Sequence, residues 1–203
     1  MKLYITPGSP YARIARVLVL EKDLTGRVEI VVVQIRQRAN TYYRVNPSGR
    51  VPCLVRDDGV ALEESPLICA YLDALDGKAR FTWSDDEAGW EGRRLESHAR
   101  SLLDGLAVWG RELRRPETER SPTVLRHEAE RSQRLLELWD SLIDHPLMQG
   151  PLNLAQITLI AAFGFGARIA EFQWRKVHPQ LCVWVDRINA LPSIAATAPP
   201  EQH

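Results

Sequence analysis

The fold is decided by residues 2–33, KLYITPGSPYARIARVLVLEKDLTGRVEIVVV. Residues 2–5 predict a short apolar strand that ends in a Thr-Pro-Gly turn. Ser9 is a favourable N-cap and Pro10 suits the first helical position, so a helix is expected next. The β-branched run Val28–Val33 predicts a buried parallel strand. Together these elements predict a βαβ unit.

The following segment predicts two more strands and a second helix. Residues 51–55 are expected to form a third strand after a turn-rich stretch. Asp58-Gly59 is a hairpin signal, so residues 60–62 should form a fourth, antiparallel strand. Ser65-Pro66 then opens a helix that is expected to run to Asp76-Gly77. The order β-α-β followed by β-β-α predicts a mixed sheet with helices, which is an α/β domain.

Everything after this unit has a helical pattern. Periodicity is lost over residues 76–84, so we expect one domain at residues 1–77 and another at residues 85–203. The second domain should be an all-α helical bundle, with its main helices at residues 85–115, 121–142, 153–168 and 179–189. The third of these is apolar almost all round and is therefore expected to be the core helix.

Composition excludes several classes of function. The chain has 203 residues, with 26 basic and 26 acidic side chains, so no overall positive field favours nucleic acid as a partner. Polar residues interrupt the most apolar stretch, Leu152–Ala170, which therefore predicts a buried helix and no membrane segment. The N-terminus lacks the apolar core of a signal peptide. Three cysteines without metal-ligand spacing indicate a cytoplasmic, soluble protein with no structural metal.

Ser9 is the first candidate functional residue. At the junction of a strand and a helix, its hydroxyl and the free backbone N–H groups face the positive end of the helix dipole. Such donors would stabilise a thiolate held there and lower the pKa of the thiol. Ser9 would act as a hydrogen-bond donor, because no neighbouring histidine could activate it as a nucleophile.

Helix capping alone also explains this serine. The same Ser-Pro pair recurs at Ser65-Pro66 and Ser121-Pro122. The hydroxyl of Tyr4, on the first strand, is an alternative donor, and Thr6 and Tyr11 are weaker ones. The choice between them stays open at this point.

Val51 and Pro52 form the second candidate. Proline lacks an N–H, so it fits a strand start, and a cis bond would turn the backbone of Val51 outward. That backbone could pair with a bound peptide as an added strand does. A proline that simply begins a strand explains the pair equally well.

Glu64 and Ser65 form the third candidate, at the start of the last helix of the first domain. Helix N–H groups and the Ser65 hydroxyl would bind a carboxylate, while Glu64 would bind an ammonium group. Together they would hold an α-amino acid head group. An ordinary N-cap, with Glu63 and Glu64 as favourable helix-start charge, is the alternative.

Three segments together resemble cytosolic glutathione S-transferases in order and spacing: SPYARIARVL at residues 9–18, NPSGRVPCLV at 46–55 and ALEESPLICAYLD at 61–73. The resemblance covers nearly the whole chain and is to bacterial, serine-type members. It implies a thioredoxin-like first domain and a helical second domain that holds an electrophilic co-substrate. It also implies a homodimer.

The resemblance implies a role for each candidate residue. Ser9 matches the thiol-activating serine, and Val51 would pair with the cysteinyl backbone of glutathione beside a cis Pro52. Glu64 and Ser65 would hold the γ-glutamyl head. The expected reaction is conjugation of glutathione to an electrophilic small molecule, with glutathione as co-substrate.

The sequence departs from the family pattern at two points. Gln156 stands where many members carry an aspartate after the helix cap, and it could still complete a capping box. Asp104 is the nearest acid to the region from which related proteins reach glutathione across a dimer, and we do not assign it that contact. No cysteine occupies the position of Ser9, which argues against a glutaredoxin-like exchanger.

Two alternatives to a transferase remain open. One is a glutathione-binding regulatory protein without catalysis. The other is a different glutathione-dependent enzyme on the same fold, such as an isomerase, a dehalogenase or a lyase. The shape of the second pocket decides between them, and the sequence does not define it.

Overall fold

The computed structural model describes residues 1–200, and a mixed four-stranded sheet organises the first part of the chain. Its strands, in chain order, are β1 (Lys2–Ile5), β2 (Glu29–Val32), β3 (Cys53–Val55) and β4 (Ala61–Glu63). The spatial order is β2-β1-β3-β4. β1 and β2 are parallel, while β3 is antiparallel to both β1 and β4. The predicted mixed sheet and the α/β class of this part are confirmed.

β2 differs from the prediction in its burial. It is parallel to β1, as expected, but it lies at the edge of the sheet. Ile30 and Val32 are 41% and 62% exposed, so the expectation of a buried strand was wrong. A β-branched composition favours an extended backbone whether or not other elements cover the strand. At the edge of the sheet, the side chains of Ile30 and Val32 remain accessible to solvent.

Two helices accompany the sheet, α1 (Pro10–Glu21) and α2 (Ser65–Ala74). The periodicity of α1 buries Ile14, Val17 and Leu18, and α2 packs against α1. Both helices begin with proline at one of their first positions, where the missing N–H costs no hydrogen bond.

The rest of the chain is helical. Its helices are α3 (Glu87–Leu113), α4 (Pro122–Leu142), α5 (Pro146–Gln149), α6 (Leu154–Gly166), α7 (Pro179–Asn189) and α8 (Pro192–Ala196). Within residues 1–200, no helix is both long enough and apolar enough to cross a membrane. The described chain separates into a first unit, residues 1–82 with 196–200, and a helical unit, residues 83–195.

α6 forms the core of the helical unit. Every residue from Leu154 to Gly166 except Gly164 is buried, which confirms the predicted core helix. α3 packs along it more extensively than any other helix. Burial on all sides accounts for the apolar composition of α6, because any exposed face would favour polar residues.

Only half of the expected capping box forms at the start of α6. The Asn153 side chain accepts the Gln156 N–H at 3.1 Å, as an N-cap should. The buried Gln156 side chain does not return to the cap. Its amide donates instead to the Leu147 carbonyl at 2.9 Å. An amide donor in place of a carboxylate thus connects α5, which contains Leu147, to the start of α6.

A buried carboxylate fixes the end of the first unit. Asp73, on α2, is fully buried and accepts the backbone N–H groups of Arg80, Phe81 and Thr82 at 2.7–3.1 Å. The Lys22 ammonium lies 3.2 Å away. Burial opposes ionisation of Asp73, but the three backbone donors outweigh it and hold the pKa of this carboxyl below its usual range.

We expect Asp73→Asn to lower the free energy of unfolding by about 3 kcal/mol, because the backbone donors lose a charged acceptor and Lys22 loses a buried partner. Asp76→Asn is the matched control. Asp76 also pairs with Lys22, at 2.8 Å, but its side chain is 40% exposed, so we expect a loss under about 1 kcal/mol. Urea unfolding at pH 7 measures both values.

The pH dependence separates the charge of Asp73 from its packing. Its folded-state pKa is lowered, so its stabilisation is present above the unfolded pKa of about 3.9 and is lost as pH falls through the lower folded value. The difference in the free energy of unfolding between the unaltered protein and Asp73→Asn should therefore become smaller as pH falls from 7 toward 2. A difference that stays constant over that range would show that the charge of Asp73 does not stabilise the fold.

Candidate active site

The strand directions bring the three predicted segments to one end of the sheet. β1 ends there, β3 begins there because it is antiparallel to β1, and β4 ends there because it is antiparallel to β3. Ser9 follows β1, Val51-Pro52 precedes β3, and Glu64-Ser65 follows β4. We call this end of the sheet the site edge.

The register makes the grouping more specific. Cys53 is the partner of both Tyr4 on β1 and Glu63 on β4. Pro52 precedes Cys53 and Glu64 follows Glu63, so these two residues lie next to each other just beyond the paired ends of β3 and β4. Two strand pairings therefore bring three segments together, and the first of these segments lies more than forty positions before the other two.

Ser9 occupies the N-cap of α1. Its Oγ accepts the Ala12 N–H at 3.2 Å, and its backbone is extended, with φ −79° and ψ 119°. The residue is only half-buried. Because a hydroxyl has one donor besides its acceptor lone pairs, Ser9 can cap the helix and still donate its proton to an anion. The capping and functional interpretations of this serine are therefore compatible.

Tyr4 has different surroundings. Strand alternation places it on the face opposite the buried Leu3 and Ile5. Its ring is tilted against that of Tyr42, with 5.6 Å between the ring centroids. Tyr4 thus pairs with an aromatic ring from the short 3-10 helix Thr41–Arg44, whereas Ser9 lies at the N-terminus of α1.

A network of side chains fixes the turn before β3. The Arg50 carbonyl accepts the Tyr42 hydroxyl at 2.6 Å and the Asn46 amide at 3.0 Å. The following Val51–Pro52 peptide bond is cis. Within residues 1–200, neither the N–H nor the C=O of Val51 has a hydrogen-bond partner, although the residue is half-buried. A backbone pair of this kind can accept an added peptide strand.

Glu64 has an unusual backbone at the start of α2. Its φ of 72° and ψ of 122° lie in a region that residues with a Cβ rarely adopt. Its carboxylate pairs with the Arg50 guanidinium at 2.5 Å, and both side chains are more than half exposed. The next residue, Ser65, is buried, with 2% of its surface exposed.

Arg50 also belongs to the site edge, although no sequence motif indicated it. The only sequence signal is its position within the turn-rich segment before Val51. Ser48 makes a parallel contact from the same turn, donating its hydroxyl to Glu63 at 2.5 Å. This hydrogen bond, with a further one from Asn46, lowers the pKa of Glu63. Ser48 and Arg50 thus connect the turn before β3 to Glu63 and Glu64, respectively.

The cysteines of the first unit do not have the properties of nucleophiles. Cys53 and Cys69 are fully buried. Burial raises the pKa of the Cys53 thiol, which disfavours the thiolate. Asp104, in the helical unit, is exposed on α3.

Two clefts lie within the helical unit. One, of about 380 Å³, has aromatic walls that include Phe163, Phe172 and Trp174. The other, of about 300 Å³, is lined by Arg114, Arg120 and Arg168 among apolar residues. Neither cleft was predicted from the sequence, although Arg168 is the only charged residue in the apolar run Leu152–Ala170.

Comparisons with known proteins agree with this architecture. The glutathione S-transferase N-terminal domain family matches residues 3–80. An uncharacterised GST-like protein, YibF of Escherichia coli K12, is 29% identical over 203 residues, which cover 99% of this chain and 100% of YibF. Glutaredoxin 2 of E. coli K12 is 36% identical over 104 residues, which cover 51% of this chain and 47% of that protein.

A solved structure shows a similar fold over nearly the same length of the chain. A glutathione transferase family member from Pseudomonas fluorescens Pf-5, with bound S-(propanoic acid)-glutathione, is 28% identical and aligns with a TM-score of 0.88. The alignment covers 99% of this chain and 100% of that one. A second structure from the same organism, with bound glutathione, also gives 28% identity and a TM-score of 0.88, and covers 98% and 99% of the two chains.

The backbone of Glu64 leads to a stability prediction. We expect Glu64→Gly to be more stable than Glu64→Ala by about 1–2 kcal/mol, because glycine adopts a positive φ without a Cβ clash. Both variants lose the carboxylate, so the comparison isolates the backbone. Urea unfolding measures the difference. Equal stabilities, or a more stable alanine variant, would show that Glu64 is not strained.

Proposed function

We propose that this chain is a member of the glutathione S-transferase family that binds glutathione at the site edge and transfers the glutathione thiolate to an electrophilic small molecule. The observation that supports the proposal most is the convergence of Ser9, Val51 and Glu64-Ser65 on one end of the sheet. Glutathione in the P. fluorescens relative is consistent with it.

Each residue has a distinct task in this proposal. The Val51 backbone pairs with the cysteinyl residue of glutathione, and Pro52 holds the strand start beside it. The Ser65 hydroxyl and the first turn of α2 bind the γ-glutamyl carboxylate, while Glu64 binds the ammonium group. Arg50, which pairs with Glu64 in this structure, orients its carboxylate.

Ser9 supplies the chemical activation. A free cysteine thiol has a pKa of about 8.5, so little of it is thiolate at neutral pH. A hydroxyl donor at the positive end of α1 stabilises the anion and increases the nucleophilic fraction. The thiolate then attacks the electrophile, and holding both reactants in one site contributes further to the rate. By resemblance to the family, the enzyme is a cytoplasmic homodimer.

The glutaredoxin-like alternative is disfavoured by one observation. Disulfide exchange needs a cysteine thiolate at the N-terminus of α1, and that position holds Ser9. The similarity to glutaredoxin 2 therefore supports a related structure over the matched half of the chain without supporting exchange.

Ser9→Ala tests activation of the thiol. We expect it to raise the pKa of bound glutathione by about one unit or more, as measured by thiolate absorbance against pH. Ser121→Ala is the matched control, because Ser121 caps α4 in another Ser-Pro pair by accepting the Val124 N–H. Both variants should lose about 1 kcal/mol of stability, and only Ser9→Ala should change the thiol pKa. An unchanged pKa in Ser9→Ala would remove Ser9 from the mechanism.

Glu64→Gln tests recognition of the head group. Removing the charge that faces the ammonium should weaken glutathione binding about tenfold in a calorimetric titration. Glu63→Gln is the control, since Glu63 is engaged by Ser48 and should leave the affinity nearly unchanged. Absence of glutathione binding by the unaltered protein would refute the proposed function.

A further inference from the structure

The outer side of β2 carries backbone groups that no other strand uses. The N–H groups of Glu29 and Val33 donate to carbonyls on the β1 side of the strand, at 3.0 Å and 2.9 Å. Successive residues of a strand direct their backbone groups to opposite sides, so those of Ile30 and Val32 point away from β1. Within residues 1–200, neither residue makes a backbone hydrogen bond with any element other than β1. We call this side of the strand the β2 edge.

The side chains beside these backbone groups are apolar and accessible. Ile30 and Val32 lie on the same face of the sheet, because they are two positions apart in the strand. Their side chains are both exposed, although both are large and apolar. An added strand would place every second side chain next to them, since neighbouring strands pair side chains on a common face. The β2 edge therefore favours a peptide with apolar residues at alternate positions.

Basic side chains flank the β2 edge. Arg27 precedes β2, whereas Arg36 and Arg38 follow it, and all three residues are exposed. Glu29 is the only acidic residue between Arg27 and Arg38, and its carboxylate lies 3.8 Å from the Lys2 ammonium. Both ends of the edge are thus positively charged, which suits a peptide with acidic residues at its two ends.

The loop after β2 is held against the end of the strand. The side-chain amide of Asn40 donates to the Gln34 carbonyl, and that of Gln37 donates to Gln34 Oε1 at 2.7 Å. These contacts close a loop that contains Arg36 and Arg38. Among residues 1–200, neither of these arginines has a salt-bridge partner, so their charges are available to a ligand.

A second copy of the chain would fit the β2 edge less well. In an antiparallel pair of β2 strands centred on Val31, Arg36 of one copy would lie opposite Gly26 of the other and beside its Arg27. In a parallel pair, each arginine would lie beside its equivalent. Both arrangements bring like charges together, which opposes association. The charges therefore favour an acidic partner.

We propose that the β2 edge binds an extended acidic segment of another protein as an additional strand. The backbone groups of Ile30 and Val32 pair with the backbone of the segment, and its alternate apolar side chains cover theirs. Its acidic ends face Arg27 on one side and Arg36 with Arg38 on the other. The proposal uses none of the residues assigned to glutathione and does not depend on the proposed function.

Fluorescence anisotropy tests the pairing with a labelled peptide in which valine alternates with threonine between pairs of glutamates. We expect saturable binding that added salt weakens. A peptide with lysines in place of the glutamates should bind about tenfold more weakly, and so should one whose central backbone nitrogens are methylated. No saturable binding, or equal affinities for the three peptides, would overturn the proposal.

Val32→Pro tests the backbone contact from the side of the protein. It removes an N–H that points away from β1, so the sheet should persist, while the peptide affinity should fall about tenfold. Val32→Thr is the matched control, because it keeps the N–H and should bind within about twofold of the unaltered protein. Urea unfolding checks that both variants fold. Equal binding by Val32→Pro and Val32→Thr would contradict the proposal, and the methylated peptide decides the question if Val32→Pro does not fold.

Replacing Arg36 and Arg38 together by glutamine tests the charge. The affinity for the acidic peptide should fall about fivefold at low salt, and the affinity for the lysine peptide should not fall. Arg126→Gln is the control, because Arg126 is exposed on α4, in the helical unit. An unchanged affinity for the acidic peptide in the double variant would contradict the choice of an acidic partner.

Two further measurements separate the β2 edge from other modes of binding. Saturating glutathione should leave the peptide affinity unchanged, and displacement of the peptide would overturn the proposal by placing the peptide near Val51. Sedimentation equilibrium should give the same mass for the unaltered protein and Val32→Pro. A smaller mass for Val32→Pro would overturn the proposal in favour of a second copy at this edge. Failure of the protein to bind glutathione concerns the proposed function and leaves the peptide test valid.

Discussion

The antiparallel direction of β3 is the constraint on which the candidate site depends. Because β3 runs opposite to both β1 and β4, the end of β1, the start of β3 and the end of β4 lie at the same edge of the sheet. Both α1 and α2 begin there, so two helix N-termini lie near the Val51 backbone, which has no hydrogen-bond partner among residues 1–200. A parallel β3 would have placed Val51 and Pro52 at the opposite end.

The same local motif acquires different roles from its position in the fold. Ser9 and Ser121 each precede a proline and cap a helix through the side-chain oxygen. Ser65, before a third proline, is instead the first residue of α2, with Glu64 at the cap. Capping stabilises a helix wherever it occurs. Ser9 and Ser65, unlike Ser121, also lie at the site edge together with the Val51 backbone. Tertiary position therefore distinguishes a candidate catalytic serine from a purely structural one.

In the proposed function, the charges of glutathione meet different groups at the site edge. Backbone N–H groups and hydroxyls would face its anionic parts, and the Glu64 carboxylate would face its ammonium group. In the helical unit, the guanidinium groups of Arg114 and Arg168 lie beside the ring of Phe165.

Local sequence patterns determined the elements of this protein, since caps, hairpin signals and hydrophobic periodicity each act within a few residues. They predicted both helices of the first unit, the mixed sheet and the core helix α6, and they selected Ser9, Val51, Pro52, Glu64 and Ser65 as candidates. Only the tertiary structure decided the exposure of β2, the contacts of Gln156, the pairing of Arg50 with Glu64 and the gathering of Arg114 and Arg168 around Phe165. These features join residues from separate segments, or depend on what covers an element, so packing determines them and no local pattern contains them.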